Sequence, residues 1–218
     1  MNRLDSLIQQ MCPTVMVPSH EPLSALDSDA HRYLSAQDGL YLELWRPWLH
    51  LRQCVAPASM KLPYGSIEPC MNFAVHTSEL VSALVAFIQY AQANREEEVA
   101  SWFMFDPQTR RLEHVVPKTI SSSAGHIKYE RPSVSAERVP MLDCHSHGRI
   151  GAFFSREDDL DDLADDAKVS FVVGNLDEPT PSVACRLTAQ GYIHDLTDWV
   201  FKLIDASGRQ PVRVRSHP

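Results

Sequence analysis

The stretch from Asp143 to Asp159, "DCHSHGRIGAFFSREDD", decides how this sequence folds. It sets His145 and His147 one residue apart, then a serine at 155 and an aspartate at 158. On a helix, residues i and i+2 point about 200° apart and could not meet on one ion. On a strand they share a face, with Cα atoms roughly 6.6 Å apart. "VPMLDC" just upstream builds such a strand, so both imidazoles are expected to converge from its end. Cys144 then falls on the opposite face as a small core residue. Adjacent strand residues face apart, which disfavours a catalytic Cys144–His145 pair.

The second half of the stretch has a purely structural reading. Ser155-Arg-Glu-Asp158 has the form of a helix capping box, with Ser155 at the N-cap and Asp158 three residues on. The acids that follow suit the positive end of a helix dipole. Leu160, Leu163, Ala164 and Ala167 are expected to form its buried stripe. That reading explains the helix start and leaves the two histidines unexplained. Two neutral imidazoles and one carboxylate are a ligand set for catalytic zinc, which keeps a fourth position open. A lone HxH is a weak signal; the spacing H-x-H-x7-S-x2-D is far more specific.

Working outward, the pattern predicts two textures. Residues 1–75 are punctuated by prolines at 13, 18, 22, 47, 57, 63 and 69. Within them Gly39–Gln53 alternates Leu40, Leu42, Leu44, then Trp48, Leu49, Leu51 around Arg46-Pro47, which predicts two strands and a turn. Trp45 and Trp48 are expected as core or interface aromatics. From Thr77 the texture changes. Thr77 or Ser78 can cap a helix in which Leu80, Val81, Leu84, Val85, Ile88 and Ala91 recur at helical spacing, ending near Asn94–Arg95. "EEEVASWFMFDPQTRRLEHVVP" predicts strand, Asp-Pro turn and strand. "KTISSSAGHIKYERPSVSAE" is expected to be polar loop. "VSFVVGN" is a buried strand, and "SVACRLTAQGYIHDL" and "WVFKLIDASGRQPVRVR" are expected to add strands or a terminal hairpin. Together these predict an α/β sandwich around one mixed sheet.

The bulk properties narrow the function classes. The apolar content of 44% is enough to bury a core. A net charge of −8 argues against a general nucleic-acid binder. Glu157–Asp166 holds seven of the chain's 28 acids, so much of the imbalance sits beside the opening motif. Five cysteines, widely spaced and without a CxxC pair, form neither a disulfide framework nor a cysteine zinc knuckle. No apolar run approaches the roughly 20 residues of a membrane span, and no signal-peptide core opens the chain. A cytoplasmic, reduced protein without membrane partners is the expectation.

The full spacing resembles the JAMM (MPN+) motif of the JAB-type metallopeptidases, which include deubiquitinases and prokaryotic relatives. The resemblance implies that His145, His147 and Asp158 hold a zinc ion and that Ser155 is the motif serine. The family also carries a glutamate before an upstream strand. "EVASWFMF" resembles that element, and Glu98 is the match, with Glu96 and Glu97 too near to separate by spacing alone. One departure stands out: the family usually has proline after the second histidine, where this chain has Gly148. The likeness covers roughly residues 77–200, so residues 76–218 are expected to be a JAB/MPN-like domain and 1–75 a β-rich accessory region. The whole-chain layout resembles the protein A group of PRTRC systems, which is associated with plasmids and mobile elements and grouped with ubiquitin-activation-like and ubiquitin-like components.

What the resemblance implies is hydrolysis of an amide or isopeptide bond after the tail of a ubiquitin-like protein. Zinc would bring water toward ionisation at neutral pH. Glu98 would serve as general base, and Ser155 would help to stabilise the oxyanion. Ubiquitin-activation-like proteins of the same system are implied as further partners. The rival from another class is a non-catalytic MPN-type scaffold, which usually lacks the ligands present here. "LDCHSHG" also resembles the first strand of amidohydrolase barrels, but only 71 residues follow His147 in this sequence (218 minus 147), too few for a barrel. "HEPLS" at His20 lacks a second histidine and has Pro22 where HExxH needs a helix. The acidic run 158–166 lacks the central glycine of an EF-hand loop.

Overall fold

The computed structural model describes residues 2–123, 126–135 and 137–214, the side chains at 122, 123, 126 and 128 excepted. The chain divides into two compact units, Met1–Ala74 and Val75–Pro218.

The first unit opens with α1 (Arg3–Met11), followed by β1 (Thr14–Met16), β2 (His31–Ala36), β3 (Gly39–Arg46), β4 (Leu49–Pro57) and β5 (Cys70–Phe73). The strands form one sheet in sequential order. Its hairpin β3–β4 is the one the leucine alternation predicts, turning at Pro47-Trp48. Pro13 and Pro69 each precede a strand and Pro57 closes one, because a proline cannot donate to a ladder. The core beneath the sheet is Val17, Leu34, Ala36 and Tyr41, with Val15, Leu23 and Ile67 at its margin. Trp48 is buried, whereas Trp45 stays 40% exposed and stacks on His50 at 4.7 Å. The helix α1 was not expected from the sequence. Asn2 caps it by accepting from the Leu4 amide at 2.8 Å, and none of its residues is buried.

The second unit begins with α2 (Thr77–Ala93), then β6 (Ala100–Asp106), β7 (Arg111–Val115), β8 (Thr119–Ser123), β9 (His126–Tyr129) and β10 (Val139–Ser146). After these come α3 (Arg156–Ala164), β11 (Ala167–Gly174), β12 (Ser182–Ala189), β13 (Tyr192–Asp195), α4 (Thr197–Ser207) and β14 (Arg213–Val214). One mixed sheet runs β13-β12-β11-β10-β6-β7, with β14 beside β12. Parallel neighbours β10 and β11 need a crossover, and α3 is that crossover. The α/β sandwich around a mixed sheet is therefore the architecture of this unit. One sheet face carries Phe171, whose ring meets Phe87 of α2 edge-on at 6.3 Å. α4 packs on α2 and β12. The opposite face carries Asp143, Ser170 and Arg186 in one row and receives α3.

Four local expectations are corrected. The residues after β7 are not all loop: β8 and β9 pair as a hairpin apart from the main sheet, which its Thr/Ser-rich sequence concealed. Positions 124–125 and 136 of that stretch lie outside the described residues. The C-terminal segment is mostly the helix α4, with Val200 and Ile204 buried four residues apart and Gly208 closing it at φ +64. Its Trp, Val, Phe and Ile content is strand-like and masked the period; position 215 lies outside the described residues. The N-cap of α2 is His76 rather than Thr77 or Ser78, without a side-chain cap bond. Finally, α3 has no apolar stripe: Leu160 is 65% and Leu163 44% exposed, Ala164 is exposed, and its one buried residue is Asp162. Among the described residues no helix is long and apolar enough to cross a membrane.

Candidate metal centre

His145 is the penultimate residue of the central strand β10, paired with Val172 of β11 on one side and Ala100 of β6 on the other. His147 lies just past the strand, its backbone amide still donating to Val173 at 2.8 Å. Gly148 then turns the chain at φ +53. A proline, locked near −65°, could not occupy that conformation, so the departure from the family pattern comes with a different turn. The chain returns across Gly174, whose strand end receives Ile150 and Gly148 carbonyls through the amides of Asn175 and Leu176. Ala152 is pinned by donating to Ser182 Oγ at 2.8 Å.

The capping box and the candidate donor set share Asp158. Ser155 accepts from the Asp158 amide at 3.2 Å, and the Ser155 amide donates to Asp158 Oδ2 at 2.6 Å. With Oδ2 held there, Oδ1 faces His145 Nε2 at 3.5 Å. The two imidazole Nε2 atoms lie 3.1 Å apart. One donor atom from each of the three residues falls within 4.8 Å of the others. Four donors at zinc–ligand lengths of 2.0–2.1 Å stand about 3.3 Å from one another in a tetrahedron. The two separations about His145, 3.1 and 3.5 Å, bracket that value, and the His147–Asp158 pair is wider but still inside 4.8 Å, so the donors suit a small divalent cation with a modest closing of that third side.

The protonation states agree with the donor role. Burial holds the His145 imidazole below its ordinary range, against the nearby Asp158 charge. His147 is pushed down to about 4 by burial and by His145, again opposed by Asp158. Neutral imidazoles offer lone pairs rather than protons. His147 Nδ1 is buried without a well-aligned partner, and the backbone of Gly151 is the polar group beside it. Phe153 seals that side, its ring edge-on to His147 at 4.6 Å.

Glu98 sits between α2 and β6, at the lip of the same pocket, and is only 7% exposed. Ser146, the residue between the histidines, ties its loop down: its Oγ accepts from the Val99 amide at 3.0 Å, and its own amide donates to the Val99 carbonyl. Burial and the Asp158 charge push the Glu98 carboxyl up to about 7. A carboxyl in that range takes and releases a proton near neutrality. Glu96 and Glu97 remain exposed, Glu96 pairing with Arg149 at 3.4 Å.

The pocket encloses roughly 350 Å³, and three of its walls were invisible in the sequence. Ile127 and Tyr129 of β9, and Arg131 just after it, line it beside the histidines. The alternation in "HIKYE" was the available signal. Behind the pocket lies a charged layer in place of an apolar one. Lys168, 1% exposed, places Nζ 2.9 Å from carboxylate oxygens of Asp161, Asp162 and Asp165, and 3.2 Å from Asp143. Tyr129 donates to the other Asp143 oxygen at 2.8 Å. Arg186 pairs with Asp159 and Asp162 at 2.6 Å each, and Arg131 spans Asp161 and Asp165.

Residues 2–74 match a domain of unknown function, DUF2016. No curated protein matches the chain. Among solved structures, the solution structure of protein DSY2949 from Desulfitobacterium hafniense is similar at 17% identity and a TM-score of 0.37, covering 62% of this chain and 90% of that one. Residues 80–188 match the family described as prokaryotic homologs of the JAB domain, which takes in β6, β10, α3 and every residue of the donor set. With half of its length in that match, and with the mixed sheet and crossover helix described above, the chain belongs to the prokaryotic JAB-domain family.

Proposed function

We propose that this protein is a zinc-dependent peptidase or isopeptidase of the JAMM type. It would hydrolyse an amide or isopeptide bond that follows the tail of a ubiquitin-like protein, in the cytoplasm and within a PRTRC-type mobile-element system. Ubiquitin-activation-like proteins of that system are the further partners in this reading. The observation that carries it is the convergence of two neutral imidazoles and one carboxylate within 4.8 Å, beside a buried glutamate.

His145, His147 and Asp158 would hold the zinc ion, which when bound supplies a Lewis acid that polarises the scissile carbonyl and acidifies water. The remaining chemistry falls to the chain's own groups. Glu98 accepts a proton from the attacking water on its carboxylate and returns it to the departing amine. The Ser155 Oγ, an acceptor toward the Asp158 amide, keeps its own hydrogen to donate to the developing oxyanion. The capping box holds that hydroxyl and the Asp158 carboxylate in one fixed relation. Phe153, Ile127 and Ile150 give the pocket apolar walls that limit competing water.

The test is metal content together with cleavage. Purified protein is expected to carry one zinc per chain and to cleave a conjugate or precursor of the ubiquitin-like protein encoded nearby. The His145→Ala, His147→Ala double variant should lose both and remain folded. Equal zinc in the two proteins would remove the site. Zinc without cleavage of any ubiquitin-like substrate would favour the scaffold role.

A further inference from the structure

The capping box fixes Asp158 only with respect to Ser155, because both of its bonds stay within four residues. Something else must fix α3 with respect to the strand that carries His145. An apolar stripe would be the ordinary means, but α3 buries Asp162 alone and turns Leu160 and Leu163 outward.

Arg186 of β12 supplies the missing contact, and it does so on both sides of the ligand. Its guanidinium lies over the Phe154 ring, 3.9 Å from the centroid, immediately before Ser155. Its Nη1 donates to Asp159 at 2.6 Å, the residue immediately after Asp158. Its Nε donates to Asp162 at 2.6 Å, one helical turn on. Contacts at 154, 159 and 162 bracket the Ser155–Asp158 turn. Lys168 completes the docking from β11. It holds Asp162 of α3 and also Asp143, two residues before His145 on β10. One ammonium thus joins the helix of one donor to the strand of another. Charge-assisted hydrogen bonds are directional, so they fix a helix register that apolar contact would let slide.

We propose that Arg186, seconded by Lys168, is a positioning residue of the metal centre. It sets the approach of the Asp158 carboxylate to the two imidazoles, and so the affinity for the divalent cation, without touching the ion. The proposal rests on the reading of His145, His147 and Asp158 as the metal site.

The test measures zinc affinity of the full chain by chelator competition, and the visible absorption of the cobalt-substituted protein. Arg186→Met keeps the stem and removes the fork; Arg186→Lys keeps the charge. Removing an outer partner of a metal ligand typically weakens binding about 10- to 100-fold. That loss, with a changed cobalt spectrum, is expected for Arg186→Met, and partial recovery for Arg186→Lys. Phe87→Leu, buried on the other face of the sheet, serves as the control for general destabilisation and should leave affinity unchanged. If Arg186→Met does not fold, Asp159→Ala decides, since it removes one arm of the clamp from the half-exposed side and should weaken zinc several-fold. Wild-type affinity in whichever of these variants folds, or an equal loss in Phe87→Leu, overturns the proposal. Failure of the underlying reading looks different: His145→Ala would then bind zinc as the wild type does.

Discussion

Glu96, Glu97 and Glu98 differ by one position each, and only the fold separates them. Two lie in solvent at the end of α2, while the third is turned into the pocket by the Val99–Ser146 pair of hydrogen bonds. Glu98→Gln keeps the size of the side chain but cannot accept a proton. The expected loss of cleavage rate is about 10²–10⁴-fold with zinc retained, as single-turnover assays and metal analysis would show. Glu96→Gln and Glu97→Gln should remain near wild type; full activity in Glu98→Gln with loss in a neighbour would move the base by one register. The histidines, Ser155 and Asp158 were legible because a strand end and a helix start convert fixed sequence spacing into proximity. Tyr129, Arg131, Lys168 and Arg186 were not, since they reach the site from β9 and its exit, β11 and β12, and carry no spacing relation to the motif.

At the scale of elements, α3 shows where pattern reasoning fails and why. Its leucines fall at helical spacing with Ala164, and nothing in the sequence says that the cations of β11 and β12 will meet the acids instead. Leu160→Gln and Leu163→Gln should each change stability by no more than about 0.5 kcal/mol in urea denaturation. A helix docked by those leucines would lose about 2 kcal/mol or more for each. The loop between His147 and Ser155 makes the opposite case, of a single glycine on which an element depends. A Cβ at Gly174 would stand 2.1 Å from the Ile150 carbonyl oxygen and 2.5 Å from the Ala152 amide nitrogen. Both are backbone atoms, so the whole return loop must move. Gly174→Ala should cost on the order of 1–3 kcal/mol and weaken zinc binding, because that loop carries Phe153 against His147. Unchanged affinity by chelator competition would mean that the loop does not set the imidazole.

For the whole molecule, the change of texture near Thr77 falls close to the division between Ala74 and Val75: prolines lie between the first unit's strands or at their ends, and long buried runs build the second. Whether the two units also unfold separately can be asked through a charge buried in the first. Glu43, 2% exposed, accepts from Arg32 Nε and Arg52 Nη2 at 2.7 Å each, with His50 at 3.3 Å. Burial alone would raise its carboxyl, but the hydrogen bonds from Arg52, Arg32 and His50 outweigh it and hold the group below its ordinary range. A folded value below the unfolded one contributes stability that is complete above the ordinary carboxylate range and is lost as the pH falls through the folded value. Glu43→Gln should therefore destabilise the first unit at pH 7 by an amount on the order of 3 kcal/mol, since the buried Arg32 and the partly exposed Arg52 lose their counter-charge. The gap to the wild type should narrow steadily toward acid pH. If the units are independent, the zinc stoichiometry and the unfolding midpoint of residues 75–218 stay where they were, and a fragment of residues 76–218 folds and binds zinc. A single transition that shifts as a whole in Glu43→Gln, with an insoluble fragment, would instead show that one cooperative core spans the chain.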